Sequence, residues 1–570
     1  MSLMQRFKTA FILPYVALVV SPLTLYLGNR SEFHLGLLEL VGSLLVLAIG
    51  VAAILTGLLV ACRKRALFEK AISGLLVGMA LAAWAQSQLF LWDFGPLDGR
   101  AIEWSKWALQ ANLELVFWVV AVGGCTQRAY RSKTALPGIA QLLLILGLVS
   151  LVSAWISADQ QLAEQPPAEE KLTLNFHPQN NTLLIILDTL QADVFHEVLD
   201  RYPEETGFLR GFEFFPNTVG GYPTTRASIP LIVSGRLYKN LMPLSEWRRA
   251  NVSSHNIIDH FDKKGFGLSL AGNGVGIAAV KYRVTEMATL DHHVWGRVID
   301  LLLPVLDGGL FRVAPTRFKP RVYDNSIYSV LNFAAEDKTP PAYHGVDWRF
   351  LKYLQQNAVV ESTRKGEFKY WHLRGAHWPL VVNEKYEYEK HMPASRDSYI
   401  RQTRGVLKLL KGLLEELKKL GVYQSARILV IGDHGSLSVP PNDIYGLSAA
   451  ASKFEPDVLS SARPVLLHKR SDADAAIKIL DNPLHLKDVV CLLSDNDSAF
   501  DCPDYDLLTD NKPRSRNFLF YKWKHEFWNK DYMPKMYEYI VRGDVRDINA
   551  WENTHIEYAE GSKRVSAAPR

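Results

Sequence analysis

The sequence predicts a five-helix transmembrane N-terminal domain followed by a soluble α/β domain with a mainly parallel central sheet. Two observations lead to this fold class. Five long apolar stretches occupy the first 157 residues. Later in the chain, short apolar runs without alternation are separated by helical stretches, which is typical of parallel strands buried on both faces. The 570 residues are 48% hydrophobic and 22% charged, a composition that excludes a disordered or collagen-like chain.

The apolar stretches are each long enough to cross a hydrocarbon layer of about 30 Å as a helix. They lie near residues 11–28, 36–62, 71–92, 108–125 and 136–156. Basic residues precede the first stretch and follow the second and the fourth. By the positive-inside rule, the N-terminus is then cytoplasmic and everything after the fifth span is outside. The alternative is that the fourth stretch lies in the membrane interface, which would reverse the side of the C-terminal part.

The distribution of charge agrees with a membrane domain. Residues 1–157 contain 12 Lys/Arg and 7 Asp/Glu, whereas the rest of the chain contains 52 of each sign. The excess positive charge therefore lies beside the apolar stretches, and no feature indicates a nucleic-acid partner. Trp92, Trp104 and Trp107 flank the second outer loop, as residues that anchor a protein at the interface do. Alternatively, this loop helps to present a lipid to the soluble domain.

Three regions follow from these patterns: a transmembrane domain over 1–157, a polar Pro-Pro-containing linker over 158–179, and an extracytoplasmic domain over 180–570. The tail after about residue 510 matches no known pattern. Among the four cysteines, Cys491 and Cys502 could form a disulfide if the compartment oxidises thiols.

Two predicted strands end in residues suited to chemistry. The run 182–187 is followed at once by Asp188, and the run 427–431 is followed by Gly432, Asp433 and His434. Ligands of parallel α/β sheets bind beyond the carboxyl ends of the strands. The sequence therefore predicts that these three side chains contribute to one site.

A threonine supplies the third part of this predicted site. The glycine pair Gly220-Gly221 leads into a segment that should become helical around Thr225. A hydroxyl at a helix N-terminus lies where free N–H groups and the helix dipole favour an anion. A divalent cation can make such a hydroxyl a nucleophile toward phosphorus by stabilising its alkoxide. Asp188, Asp433, His434 and Thr225 would be a four-ligand set for Zn²⁺ or Mn²⁺.

These residues carry a resemblance to a known family. The stretch NTLLIILDTLQADVF at 181–195, the Thr-x-x-Ser-x-Pro of 225–230 and the GDHG of 432–435 resemble the alkaline phosphatase/sulfatase superfamily. Together with five N-terminal spans, they resemble its membrane-bound phosphoethanolamine transferases and its phosphoglycerol transferases of the lipoteichoic-acid-synthase type. The resemblance covers residues 180 to about 500 and implies an alkaline-phosphatase-like (sulfatase-like) α/β fold.

The resemblance also implies roles for individual residues. In that family a threonine attacks the head-group phosphate of a phospholipid, diacylglycerol leaves, and the phospho-threonine is passed to an acceptor hydroxyl. Thr225 would be the nucleophile and a metal ligand, and Asp188, Asp433 and His434 would be the other ligands of one Zn²⁺ or Mn²⁺ ion. The segment 372–377 resembles the family's His-x-x-Gly-x-His, whose histidines contact the substrate phosphate.

The sequence departs from that family in three ways. Asp188 stands where the transferases usually carry Glu, a histidine about a dozen residues beyond the GDHG is missing, and the several disulfides of phosphoethanolamine transferases are absent. Phosphate contact would then be made by Arg226, by His377 with His372, or by His468. The departures leave phosphoethanolamine, phosphoglycerol or another head group open.

Three functions of different classes follow. The first is transfer of a phospholipid head group onto a cell-envelope glycan or glycolipid, at the outer face of a bacterial inner membrane. The second is sulfuric-ester hydrolysis, which depends on a formylglycine made from a cysteine or serine in the pattern C/S-x-P-S-R. No cysteine lies near Thr225, and one extra residue separates Pro223 from Arg226, so this function lacks support. The third is a non-catalytic membrane regulator, which would have no need for the full ligand set. The acceptor has no readable signature.

Overall fold

A computed structural model describes residues 2–29, 37–94, 102–132, 134–159, 172–272, 282, 284–287, 294–324, 327–328, 342–389, 392–444, 454–524, 527 and 530–565. The chain forms two compact units. The first comprises Met1–Pro167 with Asp291–Glu336, and the second comprises Ala168–Leu290 with Asp337–Arg570. Most of the predicted linker, residues 160–171, lies outside the described residues.

Five helices of the first unit are long and apolar enough to cross a membrane, as predicted. They are Leu3–Gly28, Leu37–Lys64, Ala66–Gln88, Trp104–Arg131 and Ala135–Ser157. The first is composite, because Pro14 cannot donate a helical hydrogen bond and the turn Tyr15–Val20 is a π-helix between Leu3–Pro14 and Ser21–Gly28. Shorter 3-10 turns, Cys62–Lys64 and Trp104–Trp107, adjoin the second and the fourth of these helices.

A later segment also belongs to the first unit, which the sequence did not predict. Residues 291–336 were expected in the extracytoplasmic domain, but they group with the N-terminal helices. The helix Val294–Val313 packs tightly there: a Cβ on its Gly309 would lie 2.5 Å from the ring of Pro22. Ser21 Oγ donates to the carbonyl of the same glycine at 2.9 Å. The short helix Lys319–Val322 follows.

Glu114 also binds this later segment to the fourth long helix. The carboxylate is buried and accepts hydrogen bonds from the backbone N–H of Thr316 at 2.6 Å and from its hydroxyl at 3.0 Å. Trp92 Nε1 donates to the same carboxylate at 2.5 Å. The buried acid is therefore satisfied by three donors, which removes the cost of an unpaired polar group.

The strands, numbered in chain order, are β1 Asn181–Leu187, β2 Phe212–Phe214, β3 Thr218–Val219, β4 Gly267–Gly272, β5 Thr285–Glu286, β6 Tyr323–Asp324, β7 Ile327–Tyr328, β8 Glu367–Leu373, β9 Arg427–Ile431, β10 Leu466–Lys469, β11 Lys478–Ile479, β12 Leu484–His485, β13 Ser515–Phe520, β14 Met536–Arg542, β15 Trp551–Ala559 and β16 Ser562–Val565.

The main sheet of the second unit has the order β11-β2-β10-β9-β1-β8-β4-β5. All neighbours in it are parallel except β10, which runs antiparallel to β2 and β9. The mainly parallel sheet is as predicted.

Helices cover both faces of this sheet. The helices of the second unit are Ala192–Arg201, Pro203–Thr206, Thr225–Ser234, Leu244–Asn251, Ile257–Lys263, Ala342–Asn357, Arg396–Lys419, Pro456–Ser461 and Val489–Ser494, with 3-10 turns at Leu486–Asp488 and Ile548–Ala550. In β1, Leu183 and Ile185 belong to one core cluster, whereas Leu184 and Ile186 belong to another. Burial on both faces explains why this strand shows no alternation.

The tail that the sequence left unassigned forms a second sheet. Strands β13 to β16 are consecutive and antiparallel. Leu519 N–H also donates to the carbonyl of Gly221 at 2.9 Å, which joins β13 to the segment that precedes Thr225. The predicted pair Cys491 and Cys502 forms a disulfide.

Candidate active site

The predicted acids lie side by side at the carboxyl edge of the main sheet. In the parallel pairing of β1 with β9, Ile186 lies opposite Ile431, so the residues two positions later, Asp188 and Asp433, also face each other. Both are buried, with 2% and 0% of their surfaces exposed. The strand ends thus bring two carboxylates together away from solvent.

His434 completes a compact cluster with these acids. One ligand atom from each of Asp188, Asp433 and His434 lies within 4.8 Å of the others. His434 Nε2 is 3.7 Å from Asp188 Oδ1 and 3.5 Å from Asp433 Oδ2. The other ring nitrogen, Nδ1, lies 2.7 Å from the carbonyl of Gly435, which can only accept, so the neutral ring would carry its proton on Nδ1 and offer the lone pair of Nε2 to a metal ion.

A divalent cation fits these side chains. Asp433 Oδ1 accepts hydrogen bonds from the N–H groups of Thr189 and His434, each at 3.0 Å. Its Oδ2 is buried and makes no hydrogen bond within the described ranges. A buried carboxylate oxygen without a donor is costly, and a cation held by both acids and an imidazole lone pair would satisfy it. The cluster therefore could hold a metal ion.

Burial and mutual charge perturb both acids. Burial and the charge of Asp188 raise the pKa of Asp433. Burial also acts to raise the pKa of Asp188, but the adjacent His377, His372 and His434 outweigh it and hold that pKa below its ordinary value. Two neighbouring buried carboxylates whose pKa values are shifted in opposite directions are typical of a functional site.

Thr225 lies beside this cluster at the first position of the helix Thr225–Ser234. Its Oγ1 is 3.3 Å from Asp188 Oδ2 and 3.4 Å from His434 Nε2. The side chain is half-buried. The structure thus brings the four predicted ligand residues together, with the threonine at the positive end of a helix.

The two predicted substrate histidines lie at different depths. His372 is in β8 and is buried; its Nε2 is 3.7 Å from Asp188 Oδ2 and makes no hydrogen bond within the described part of the chain. His377 lies in the loop after β8, where its Nδ1 is 2.5 Å from the carbonyl of Trp378. Both therefore lie near the cluster, with His372 closer to the sheet.

Asp347 supports the loop that carries His377, and no sequence motif indicates this role. Its buried carboxylate accepts hydrogen bonds from the N–H of Arg374 at 2.9 Å and from the N–H of Gly375 at 3.1 Å. Gly375 has φ +57°, and a Cβ there would lie 2.6 Å from the backbone nitrogen of Asp188. Only glycine allows so close an approach in the left-handed region.

Arg226 has other partners in the structure, and His468 lies away from the cluster. The guanidinium of Arg226 donates to the backbone carbonyls of Phe527 and of Lys530, the latter at 2.8 Å, and lies 6.0 Å from the ring centre of Trp523. His468 lies inside the sheet, opposite Leu429, with its Nδ1 4.0 Å from a carboxylate oxygen of Glu213. The structure therefore does not bring His468 to the cluster, because its strand position is below the carboxyl edge.

Tyr521 is a further residue that sequence reasoning missed. It is fully buried, and its hydroxyl shares a hydrogen bond of 2.7 Å with Thr224 Oγ1, directly before the predicted nucleophile. The two residues are 297 positions apart, so no local pattern could have indicated the contact.

Comparison with known proteins gives one family match. The Sulfatase family model matches residues 313–472, which include His372, His377, Asp433 and His434. A search of curated proteins found no match.

Several solved structures are similar in fold. The lipoteichoic acid synthase LtaP from Listeria monocytogenes is 9% identical with a TM-score of 0.38, covering 65% of this chain and 86% of that one. A phosphonate monoester hydrolase, SpPMH from Silicibacter pomeroyi, is 12% identical with a TM-score of 0.37, covering 64% and 87%. A protein in the alkaline phosphatase superfamily from Vibrio parahaemolyticus is 12% identical with a TM-score of 0.37, covering 71% and 88%. Residues 313–472 thus resemble the Sulfatase family, and most of them belong to the second unit, a sulfatase-like α/β domain with a mainly parallel sheet; the chain also has five candidate membrane-spanning helices.

Proposed function

We propose that this chain is a metal-dependent phosphotransferase that moves a phospholipid head group, phosphoethanolamine or phosphoglycerol, onto a cell-envelope glycan or glycolipid. The observation that carries the proposal is the placement of Thr225 Oγ1 within 3.4 Å of both Asp188 Oδ2 and His434 Nε2. A hydroxyl at that position is adjacent to the cluster that could hold the cation and to the positive end of its own helix.

The proposed reaction has two displacements at phosphorus. In the first, Thr225 Oγ forms a bond to the head-group phosphorus, and the bond from phosphorus to the diacylglycerol oxygen breaks. In the second, an acceptor hydroxyl forms a bond to the same phosphorus and Thr225 is released with its proton restored. A divalent cation held by Asp188, Asp433 and His434 would supply positive charge that lowers the pKa of a nearby hydroxyl. The number of phosphodiester bonds is unchanged overall.

The chain's own side chains orient and protonate the reacting groups. Asp188 Oδ2 lies 3.3 Å from Thr225 Oγ1 and can accept the hydrogen of this hydroxyl. A lone pair of the threonine oxygen then points away from the carboxylate. His377 and His372 are the proposed contacts of the phosphoryl oxygens, and either imidazole can give a proton to the diacylglycerol oxygen as it leaves.

We propose that the second unit lies outside the cytoplasmic membrane of a bacterium, in the periplasm, with the N-terminus in the cytoplasm. The basic residues beside the first, second and fourth apolar helices support this orientation. The disulfide between Cys491 and Cys502 also supports it, because disulfides persist in oxidising compartments.

The direct test supplies the full chain, in detergent and loaded with Zn²⁺ or Mn²⁺, with a phospholipid labelled in its head group. We expect the label to appear on Thr225 in a peptide mass spectrum and then on an added glycolipid. Thr225→Ala should abolish both signals and keep the metal, because three ligand side chains remain. Thr206→Ala is a matched control, since its hydroxyl hydrogen-bonds to the carbonyl of Pro203, outside the cluster.

Other outcomes would change the assignment. Undiminished transfer by Thr225→Ala would exclude the covalent mechanism. Release of the free head group in water, with no glycolipid labelled, would indicate a phosphodiesterase. Stoichiometric metal with neither signal would favour the non-catalytic regulator, and cleavage of an aryl sulfate alone would favour a sulfuric-ester hydrolase.

A further inference from the structure

The loop after β8 that carries His377 has every N–H group of residues 374–377 paired. The first two donate to the carboxylate of Asp347. The third, of Ala376, donates to the carbonyl of Asp188 at 2.9 Å, and the fourth closes a turn within the loop at 3.1 Å. Since buried backbone carbonyls also need partners, the position of this loop depends on what its carbonyls bind.

Gln402 supplies the partners of these carbonyls. Its side chain is fully buried. Its Nε2 donates to the carbonyl of Ala376 at 3.3 Å and to that of His377 at 3.0 Å. Its Oε1 accepts from the N–H groups of Val381 and Val382 at 2.9 and 3.1 Å. One amide thus uses both of its donor hydrogens and both of its acceptor lone pairs on a single loop.

The helix that carries Gln402 packs closely against this loop. It is the helix Arg396–Lys419. Three residues after Gln402, a Cβ on Gly405 would overlap the carbonyl oxygen of Asn383. The helix therefore approaches the backbone of the loop within the reach of one short amide side chain.

The same helix also has a contact with the acidic cluster. Three residues before Gln402, the Tyr399 hydroxyl donates to the carbonyl of Thr189. The N–H of Thr189 in turn donates to Asp433 Oδ1 at 3.0 Å. Residues three apart are neighbours on the surface of a helix, so one side of this helix binds both the cluster and the loop of His377.

We propose that Gln402 is a positioning residue that holds the backbone of Ala376 and His377, so that the His377 imidazole stays beside the cluster and contacts the substrate phosphate. The inference rests on the proposed function in taking His377 as a substrate contact. It adds a residue that no motif indicates, on a helix that contributes no predicted site residue.

The test compares two amide-to-acid substitutions in the full chain, in detergent and loaded with Zn²⁺ or Mn²⁺. Gln402→Glu keeps the oxygen that accepts from the loop but replaces the two donors, so its carboxylate repels the carbonyls of residues 376 and 377. A misplacement of about 1 Å can reduce a rate by about 100-fold. Labelling of Thr225 by a phospholipid labelled in its head group should therefore be about 10- to 100-fold slower.

Asn240→Asp is the matched control. Asn240 is a fully buried amide that donates to the carbonyls of Met533 at 3.0 Å and Tyr558 at 3.4 Å, and accepts from the Met533 N–H and the Tyr238 hydroxyl. Its substitution removes the same kind of bonds elsewhere in the second unit. It should lower the Tm as Gln402→Glu does, with labelling of Thr225 within about twofold of the wild type.

A double-mutant cycle distinguishes positioning of His377 from a general structural role. If Gln402 acts through the His377 side chain, then Gln402→Glu should change labelling by less than about twofold when it is added to His377→Ala. A general loss of structure would slow labelling by the same factor with or without His377.

Hydrogen exchange measured by mass spectrometry gives a second readout that needs no activity. In Gln402→Glu, residues 374–377 should exchange about 5- to 150-fold faster than in the wild type, as expected when a buried hydrogen bond is lost, while Val381 and Val382 stay protected. Gln402→Met removes the amide without adding a charge. In this variant, Val381 and Val382 should exchange faster as well, and labelling of Thr225 should be slowed to a similar extent.

Each outcome decides the matter. Wild-type labelling in both Gln402 variants, an equal loss in the His377→Ala background, an equal loss in Asn240→Asp, or unchanged exchange of residues 374–377 would overturn the proposal. If the wild type transfers no head group, the proposed function fails, while exchange still tests whether Gln402 holds the loop. If transfer occurs and the Gln402 variants label Thr225 at the wild-type rate, the Gln402 proposal fails alone.

Discussion

Replacing Asp433 by Asn should have opposite effects on stability with and without metal. Without metal, two carboxylates are buried side by side, and Asp433 Oδ2 makes no hydrogen bond within the described part of the chain. An asparagine keeps the Oδ1 that accepts from Thr189 and His434. Its amide replaces the unsatisfied oxygen with a donor close to Asp188. Relieving a buried unsatisfied group of this kind is worth about 1–3 kcal/mol.

With metal bound, the wild type should instead be more stable than Asp433→Asn. A cation at 100 times its dissociation constant stabilises the wild type by about 2.7 kcal/mol, because it binds the folded state alone. Asp433→Asn lacks one of two carboxylate ligands and should lose most of this gain. The Tm of the variant should therefore lie above the wild-type Tm in a chelator and below it in saturating Zn²⁺ or Mn²⁺.

The assay is thermal unfolding of the full chain in detergent, with bound metal measured by elemental analysis. Asp193→Asn is the matched control: this buried carboxylate is paired, accepting from Arg396 Nη2 at 2.8 Å, and lies outside the cluster. It should lower the Tm in both conditions and leave the metal-dependent gain intact. A metal-dependent gain of wild-type size in Asp433→Asn, with full metal occupancy, would refute the ligand assignment.

Two further predictions concern the loop after β8. Gly375→Ala should lower the free energy of unfolding by about 1–2 kcal/mol because residue 375 has a left-handed backbone conformation. The overlap of the new Cβ with the backbone of Asp188 should lower it further. Gly375→Ala should therefore lose more Tm and more bound metal than Gly421→Ala does. Gly421 has a similar φ, +73°, but a Cβ at that position would have no atom within 4 Å, so equal losses in the two variants would contradict the proposed contact. Burial raises the pKa of Asp347 to about 6 from 3.8, although the N–H groups of Arg374 and Gly375 oppose it. The ionised form of Asp347 therefore disfavours folding. As the pH falls from about 7 to about 4, the wild type should gain up to about 3 kcal/mol of stability relative to Asp347→Asn. A difference in Tm between the two proteins that stays constant over this range would exclude the raised pKa.

The buried strands and the residues that follow them could be predicted from sequence. The strands β1 and β9 are short apolar runs, and their observed bounds agree with the predicted 182–187 and 427–431 to within one residue. Since parallel strands place their carboxyl ends at one edge, the closeness of Asp188 and Asp433 follows from the fold class. The start of the helix at Thr225 was likewise visible, because a glycine pair and a proline precede it.

What could not be predicted depends on contacts between distant parts of the chain. The sequence shows the apolar residues of Val294–Val313, but not that this helix packs against Pro22 of the first long helix. Arg226 follows the predicted nucleophile, yet its guanidinium binds carbonyls about 300 positions later in the chain. Asp347 and Tyr521 are single residues without a motif, and their roles arise only from the positions of their partners.

The assignment of residues 291–336 to the first unit has a practical consequence for anyone who wishes to isolate the α/β domain. Cutting the chain after the fifth span would leave a fragment that still contains Val294–Val313, an apolar helix deprived of the surface it covers, and such a fragment should aggregate. A soluble version requires two operations: removal of the N-terminal helices, and replacement of 291–336 by a short flexible bridge. The polypeptide passes between the units three times, so a single protease cut within any one connection would leave residues 291–336 covalently joined to part of the second unit.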